Sequence, residues 1–183
     1  MTTLLRFENV SLRRGGRLLF EHLSFELGPG ERLQATGPNG SGKSSLIRLA
    51  AGLLQAEVGR VDRSGLALAD DAIALDRELP LGRALQFWNA SPEGGMEALG
   101  LTQLGLVPVR LLSSGQLKRA TLARVASSGA PLWLLDEPLN ALDSDGAKRL
   151  GMLVERHLES GGAVLVASHQ RLGGEWRKIE LRA

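Results

Sequence analysis

Apolar and polar positions alternate over Leu4 to Val10 and again over Leu23 to Leu27, the period of half-buried strands. The turn Gly28-Pro29-Gly30 follows, and a short strand over Arg32 to Thr36 runs into a glycine-rich loop. Beyond the loop, Leu46, Ile47, Leu49, Ala50 and Leu53 recur at helical spacing, which predicts a helix over Ser45 to Leu54. Arg60 to Leu68 holds room for two more short strands. Asp70 to Leu106 is acidic and mixed, and Gly94-Gly95 argues against one long helix there. A helix is predicted over Ser114 to Ala126. Pro131 to Leu135 is a continuous apolar run of the kind buried in parallel sheets. A second helix over Ser144 to Glu159, a strand over Ala163 to Ala167 and an edge strand over Ile179 to Leu181 complete the pattern. Strands alternating with helices predict an α/β fold around a mostly parallel sheet. No repeat, low-complexity tract or long linker interrupts it.

The 183 residues, 43% hydrophobic and 23% charged, suit one globular domain. The longest apolar runs, Leu132 to Leu135 and Val164 to Ala167, fall far short of the roughly 18 residues of a membrane helix. Arg6 and Glu8 break the amino terminus before a signal-peptide core. The chain is therefore expected neither to span a membrane nor to be exported. Without cysteine, disulfides, thiolate metal sites and covalent haem attachment through CxxCH are excluded. The net charge is only +2. The pI of 9.5 reflects the absence of Tyr and Cys, because few groups titrate between His and Lys. Arg110, Lys118, Arg119 and Arg124 form a stretch without acids, but no broad basic face emerges. Nucleic acid is not the expected partner.

Chemistry concentrates in three places. Gly37-Pro38-Asn39-Gly40-Ser41-Gly42-Lys43-Ser44 fits the phosphate-binding pattern GxxxxGK[ST], with Ser45 next in line. Its glycines let backbone N–H groups converge on a phosphate at the positive end of the following helix. Lys43 then reaches the β- and γ-phosphates, and the Ser44 hydroxyl ligates Mg²⁺. Leu132 to Leu135 ends in Asp136 and Glu137. After a phosphate loop, these suit a carboxylate that holds Mg²⁺ through water and a second that polarises the attacking water. Standing alone, the pair would be a solvated turn. Leu112-Ser113-Ser114-Gly115-Gln116 opens a predicted helix, whose free N–H groups and serine hydroxyls can grip a γ-phosphate. In isolation it reads as a helix cap.

In this order the motifs closely resemble the ATP-binding cassette (ABC) family, LSSGQ standing where the family has LSGGQ, with Ser114 in place of the first glycine. Ala141-Leu142-Asp143 resembles the family's D-loop, and His169, after an apolar strand, its switch histidine. The resemblance implies a P-loop NTPase cassette over residues 1–183: a mostly parallel core sheet, an antiparallel β subdomain, and a small helical subdomain over roughly 73–126. It also implies ATP and Mg²⁺, and a second copy of the chain arranged head to tail. Ser113, Ser114, Gly115 and Gln116 would then meet nucleotide held by the partner chain. Glu137 and His169 would be catalytic.

Two departures stand out. The family stacks an aromatic residue on adenine from the loop after the first strand, where Ser11-Leu12-Arg13-Arg14 offers only the Arg14 guanidinium face. Its Mg²⁺-ligating glutamine should fall near Asp70 to Ala72, where there is none, and Asp70 and Asp71 are left unassigned. Val107 to Arg124, Ala130 to Pro138 and Ser168-His169-Gln170 further resemble the ATP-binding subunits of bacterial cytochrome c maturation systems. That likeness implies a peripheral ATPase on the cytoplasmic side of the inner membrane. It would dock on the system's integral membrane protein B, with proteins C, D and the haem chaperone E nearby, and serve haem export or release of the loaded chaperone. The ATPase of another small exporter is the alternative; a soluble cassette acting on ribosomes or DNA is disfavoured by the single cassette and the lack of heptads. A dead binding module is disfavoured by intact Lys43, Asp136, Glu137 and His169. The histidines, His22, His157 and His169, compose no haem site.

Overall fold

The computed structural model describes residues 3–72, 74–89, 91–170 and 172–182. The chain forms two compact units, one of residues 1–68, 130–137 and 157–183, the other of 69–129 and 138–156.

The first unit carries two sheets. In the antiparallel one, β1 (Leu5–Arg14) lies between β2 (Arg17–Leu27) and β4 (Val58–Arg63). In the other, β5 (Leu66–Ala69), β6 (Leu132–Asp136), β7 (Ala163–Ala167), β3 (Arg32–Thr36) and β8 (Arg177–Glu180) follow in that spatial order. The pairs β6·β7, β7·β3 and β3·β8 are parallel. Every residue of β6 and β7 is buried, as continuous apolar strands in the middle of a parallel sheet must be. β8 is mostly exposed and closes one edge. Helix α1 (Lys43–Ala50) adds Leu46, Ile47 and Leu49 to a core with Leu5, Phe7, Leu33, Leu134 and Leu165. Phe7 stacks on Phe25 with ring centroids 4.5 Å apart.

Three sequence expectations shift. Residues Ser11 to Arg14 are strand, not loop: β1 and β2 run on to a hairpin in which Arg14 faces Arg17. Gly15 and Gly16 turn it at φ +56° and +79°, the positive angles a two-residue hairpin turn requires. The alternation is hidden because the β1 register slips between Phe7 and Val10, where Asn9 takes φ +52°. Helix α1 begins at Lys43, inside the glycine-rich loop, and ends at Ala50, short of Leu53. Leu53 is 61% exposed and contributes nothing to the helical face that suggested it. The last strand runs Arg177–Glu180 rather than Ile179 to Leu181.

The second unit contains the short helices α2 (Leu81–Gln86) and α3 (Glu93–Ala98), the longer α4 (Ser114–Ser127), and residues 144–156 of α5 (Ser144–Glu159). Gly95 allows α3 and α4 to pack closely, since a Cβ there would meet the Ala123 carbonyl oxygen at 2.5 Å. Two cations of α4 face inward. Lys118 is 9% exposed and pairs with Asp71 at 3.7 Å. Arg124 lies over the Trp88 ring at 4.7 Å; burial lowers its pKa, and Asp70 pulls it back up. Among the described residues no helix is long and apolar enough to cross a membrane.

Candidate active site

The glycine-rich loop leaves the carboxyl end of β3 and enters α1 directly. Gly42 caps the helix without any side-chain hydrogen bond, so the first-turn amides are left to an incoming acceptor. Gly37 takes φ +142°, and a Cβ there would lie 2.2 Å from the Leu181 carbonyl oxygen. No other residue type fits. Lys43 is 7% exposed, and its Nζ donates to the carbonyl oxygens of Gly37 (2.9 Å) and Pro38 (3.1 Å). The ammonium is thus folded back along the loop, aimed along its concave side. Ser41 is buried with its Oγ lacking a partner. This polar lining, with its free amides and inward cation, fits a polyphosphate.

Asn39, Gly40, Gly42, Lys43, Ser44 and Ser45 line a cleft of about 500 Å³ together with Arg14, Leu19 and Glu137. Phosphate loop and acid therefore open onto one space. Asp136 is buried at the carboxyl end of β6, with Ser44 exposed at the cleft. Each offers an oxygen donor of the kind Mg²⁺ prefers. The adjoining Glu137 takes φ +43°, left-handed backbone uncommon outside glycine, and its N–H donates to the Ala167 carbonyl at 2.8 Å. The strained turn aims the side chain away from the strand. Its Oε2 lies 2.9 Å from Nδ1 of His169. A carboxylate only accepts, so Nδ1 carries the hydrogen and donates it.

Ser113 to Gln116 belong to the second unit. Ser113 is the N-cap of α4: its Oγ accepts from the Gln116 N–H at 3.3 Å, and Gln116 Oε1 accepts from the Ser113 N–H at 2.9 Å. That reciprocal pair is a capping box. It leaves the Ser114 and Gly115 amides at the positive end of α4. Gly115 approaches Ala141 so closely that a Cβ would sit 2.8 Å from its carbonyl oxygen. Asp143 accepts from the Gly146 N–H through Oδ1 at 2.8 Å and so caps α5. Asp70 Oδ1 accepts from the Ala72 N–H at 3.1 Å, and Asp71 is paired with Lys118, so both carboxylates serve their own unit. Gln34 and Lys118 are buried polar side chains outside the motifs. Gln34 takes a polar place in the alternating run Arg32-Leu33-Gln34-Ala35-Thr36, so nothing in the sequence marks it, and nothing marks Lys118.

Comparison with known proteins gives the family and the fold. Residues 20–140 match the model of the ABC transporter family. The chain belongs to the ABC transporter family. The cassette is 51% identical over 177 residues to the cytochrome c biogenesis ATP-binding export protein CcmA of Sphingopyxis alaskensis, covering 92% of this chain and 91% of the relative. The protein of the same name from Novosphingobium aromaticivorans is 54% identical over 170 residues, covering 91% and 89%. Among solved structures, the ATP-binding subunit of an ABC transporter superposes with a TM-score of 0.83 at 20% identity, covering 91% of this chain and 80% of that one. A nucleotide-free ATP-binding cassette superposes at 0.77 with 22% identity, covering 92% and 82%. These two likenesses bear on the fold. The cassette is an ATP-binding domain of the ABC ATPase class.

Proposed function

We propose that this cassette is the ATP-hydrolysing subunit of a membrane complex for cytochrome c maturation, coupling hydrolysis to haem export or to release of a haem-loaded chaperone. The observation that carries the hydrolytic part is the shared cleft of Lys43, Ser44 and Glu137, with His169 held against Glu137. The cytochrome role is supported by the CcmA relatives, aligned over nine-tenths of both chains in the Sphingopyxis case.

In this reading the amides of Gly40 and of Gly42 to Ser45, with the Lys43 ammonium, hold the β- and γ-phosphates of ATP; the Ser41 N–H already donates to the Pro38 carbonyl at 3.2 Å. Ser44 and Asp136 would hold Mg²⁺, which offsets phosphate charge when bound. Glu137 accepts the proton of the attacking water. His169, donating through Nδ1, keeps the carboxylate turned toward the cleft. The two units make up one nucleotide-binding domain, with the helical subdomain over roughly 73–126. Ser113 to Gln116 act on nucleotide held by a second copy, and Asp143 shapes the D-loop beside them. The cassette works at the cytoplasmic face of the inner membrane on the integral membrane protein B of the maturation system, with proteins C, D and chaperone E nearby.

The test is a strain carrying Glu137→Gln as its sole copy. Hydrolysis should stop while the complex still assembles. Mature c-type cytochromes should then vanish from haem-stained gels, and haem should accumulate covalently on the chaperone. Normal cytochromes without a second maturation system would overturn the cytochrome role and leave the ATPase of another exporter. A Lys43→Ala protein that binds and turns over ATP like the parent would overturn the site itself.

A further inference from the structure

The turn that carries His169 is held from beneath by a side chain outside the motifs. Gln34 lies on β3, three residues before the phosphate loop, and is 3% exposed. Its flanking residues Leu33 and Ala35 belong to the apolar core; Gln34 points to the opposite face of the strand. There Nε2 donates to two carbonyl oxygens, that of Ser168 at 3.3 Å and that of Gln170 at 2.8 Å. These carbonyls bracket His169. One amide group therefore uses both hydrogens to bridge the two sides of the turn.

Other contacts fix where this turn begins. The Ser168 N–H donates to the Ala35 carbonyl at 3.3 Å, and Ser168 Oγ accepts from the Gln170 N–H at 3.0 Å. These set the first half of the turn. The Gln34 bond to Gln170 ties its far side to β3, the strand that also delivers the phosphate loop. Because parallel pairing places Gln34 beside Val166, the amide comes from the strand next to the one the turn leaves.

We propose that Gln34 is a positioning residue for hydrolysis: it sets the His169 turn so that Nδ1 meets the Glu137 carboxylate. The proposal rests on Glu137 and His169 acting in hydrolysis. An apolar side chain would fill the same space on β3 without donating. Two carbonyls would lose the Gln34 donor, and His169 would be free to leave Glu137. An error of about 1 Å at a catalytic group costs up to roughly a hundredfold in rate. Nucleotide affinity, which depends on the loop ahead of Gln34, should be spared.

Gln34→Met keeps length and volume while removing the donors. In the full chain with ATP and Mg²⁺, kcat should fall about tenfold to a hundredfold, with the ATP dissociation constant within about twofold of the parent. In a His169→Ala background the same change should have no further effect on kcat, because the residue being positioned is gone. The His169 ring resonance, assigned by its loss in His169→Ala, should shift and broaden in Gln34→Met. If Gln34→Met does not fold, Gln34→Asn, which keeps the amide but shortens its reach, carries the same three measurements. An unchanged kcat, or an equal loss in both backgrounds, overturns the proposal. If His169→Ala alone leaves kcat unchanged, the reading of the site fails instead.

Discussion

The imidazole of His157 lies flat on the indole of Trp133, with ring centroids 3.8 Å apart and planes 9° from parallel. The pair joins the last turn of α5 to the parallel sheet of the first unit, and Trp133 is 5% exposed. Gly162 also abuts the ring, since any Cβ there would run into the imidazole at 2.2 Å. An imidazole so placed favours its neutral form.

Burial lowers the pKa of His157 below its ordinary 6.5, and hydrogen bonding to the backbone at Ala163 and Pro131 only partly offsets this. The unfolded chain therefore binds the proton more readily than the folded one. The contribution to stability is complete above 6.5 and is lost as the pH falls toward the depressed folded value. His157→Phe keeps the stack and cannot titrate. Thermal melts from about pH 8 down to about pH 5 should show the parent losing Tm relative to this variant on the acid side. Parallel Tm curves would sink the assignment.

The phosphate loop allows a sharper structural test. Gly37 and Gly40 both take positive φ, +142° and +80°, but only Gly37 lacks space for a methyl group, and Gly40 has nothing within 4 Å. Gly40→Ala should cost about 1 kcal/mol, the strain of the backbone alone. Gly37→Ala must also displace the chain at Leu181 and should cost about 2–5 kcal/mol. Urea unfolding of the two variants measures the difference. Equal losses would mean that the Leu181 contact yields freely.

Much of this was legible beforehand. Leu132 to Leu135 and Ala163 to Ala167 read as buried strands because nothing polar interrupts them, and α5 was bounded by its own pattern at Ser144 and Glu159. The phosphate loop announces itself by spacing alone. What stayed hidden depends on contacts distant in sequence. The Arg14 hairpin is masked by a register slip at Asn9 that no periodicity records. Lys118 reads as one charge of a basic stretch without acids until Asp71, 47 positions away, meets it. Gln34 looks like the polar member of an alternating strand, although its partners lie 134 and 136 residues further on.

Arg14 offers the next test. The hairpin brings its exposed side chain to the cleft beside Leu19, with no aromatic among the lining residues. A guanidinium face can stack on a base at modest strength. Arg14→Ala should then weaken ATP binding by about two- to fivefold and leave inorganic tripolyphosphate unaffected. Titration calorimetry with both ligands separates the possibilities. Equal weakening of both would show that Arg14 answers to phosphate charge rather than to the base.

Glu137→Gln bears on the partner chain. The substitution keeps the shape of the side chain but removes the proton acceptor, so hydrolysis should fall by about 10²- to 10⁴-fold while ATP still binds. The Ser114 and Gly115 amides are left at the start of α4 by the Ser113–Gln116 capping box. If they close on ATP held by another copy, nucleotide binds the dimer better than the monomer and mass action drives association. Sedimentation of Glu137→Gln should show monomers without nucleotide and dimers with saturating ATP and Mg²⁺. Adding Gly115→Ala, whose methyl group would press on the Ala141 carbonyl, should disturb that helix start and return the protein to monomers while ATP still binds. Dimers unaffected by Gly115→Ala would place the contact elsewhere, and monomers at saturating ATP in Glu137→Gln itself would overturn the head-to-tail arrangement.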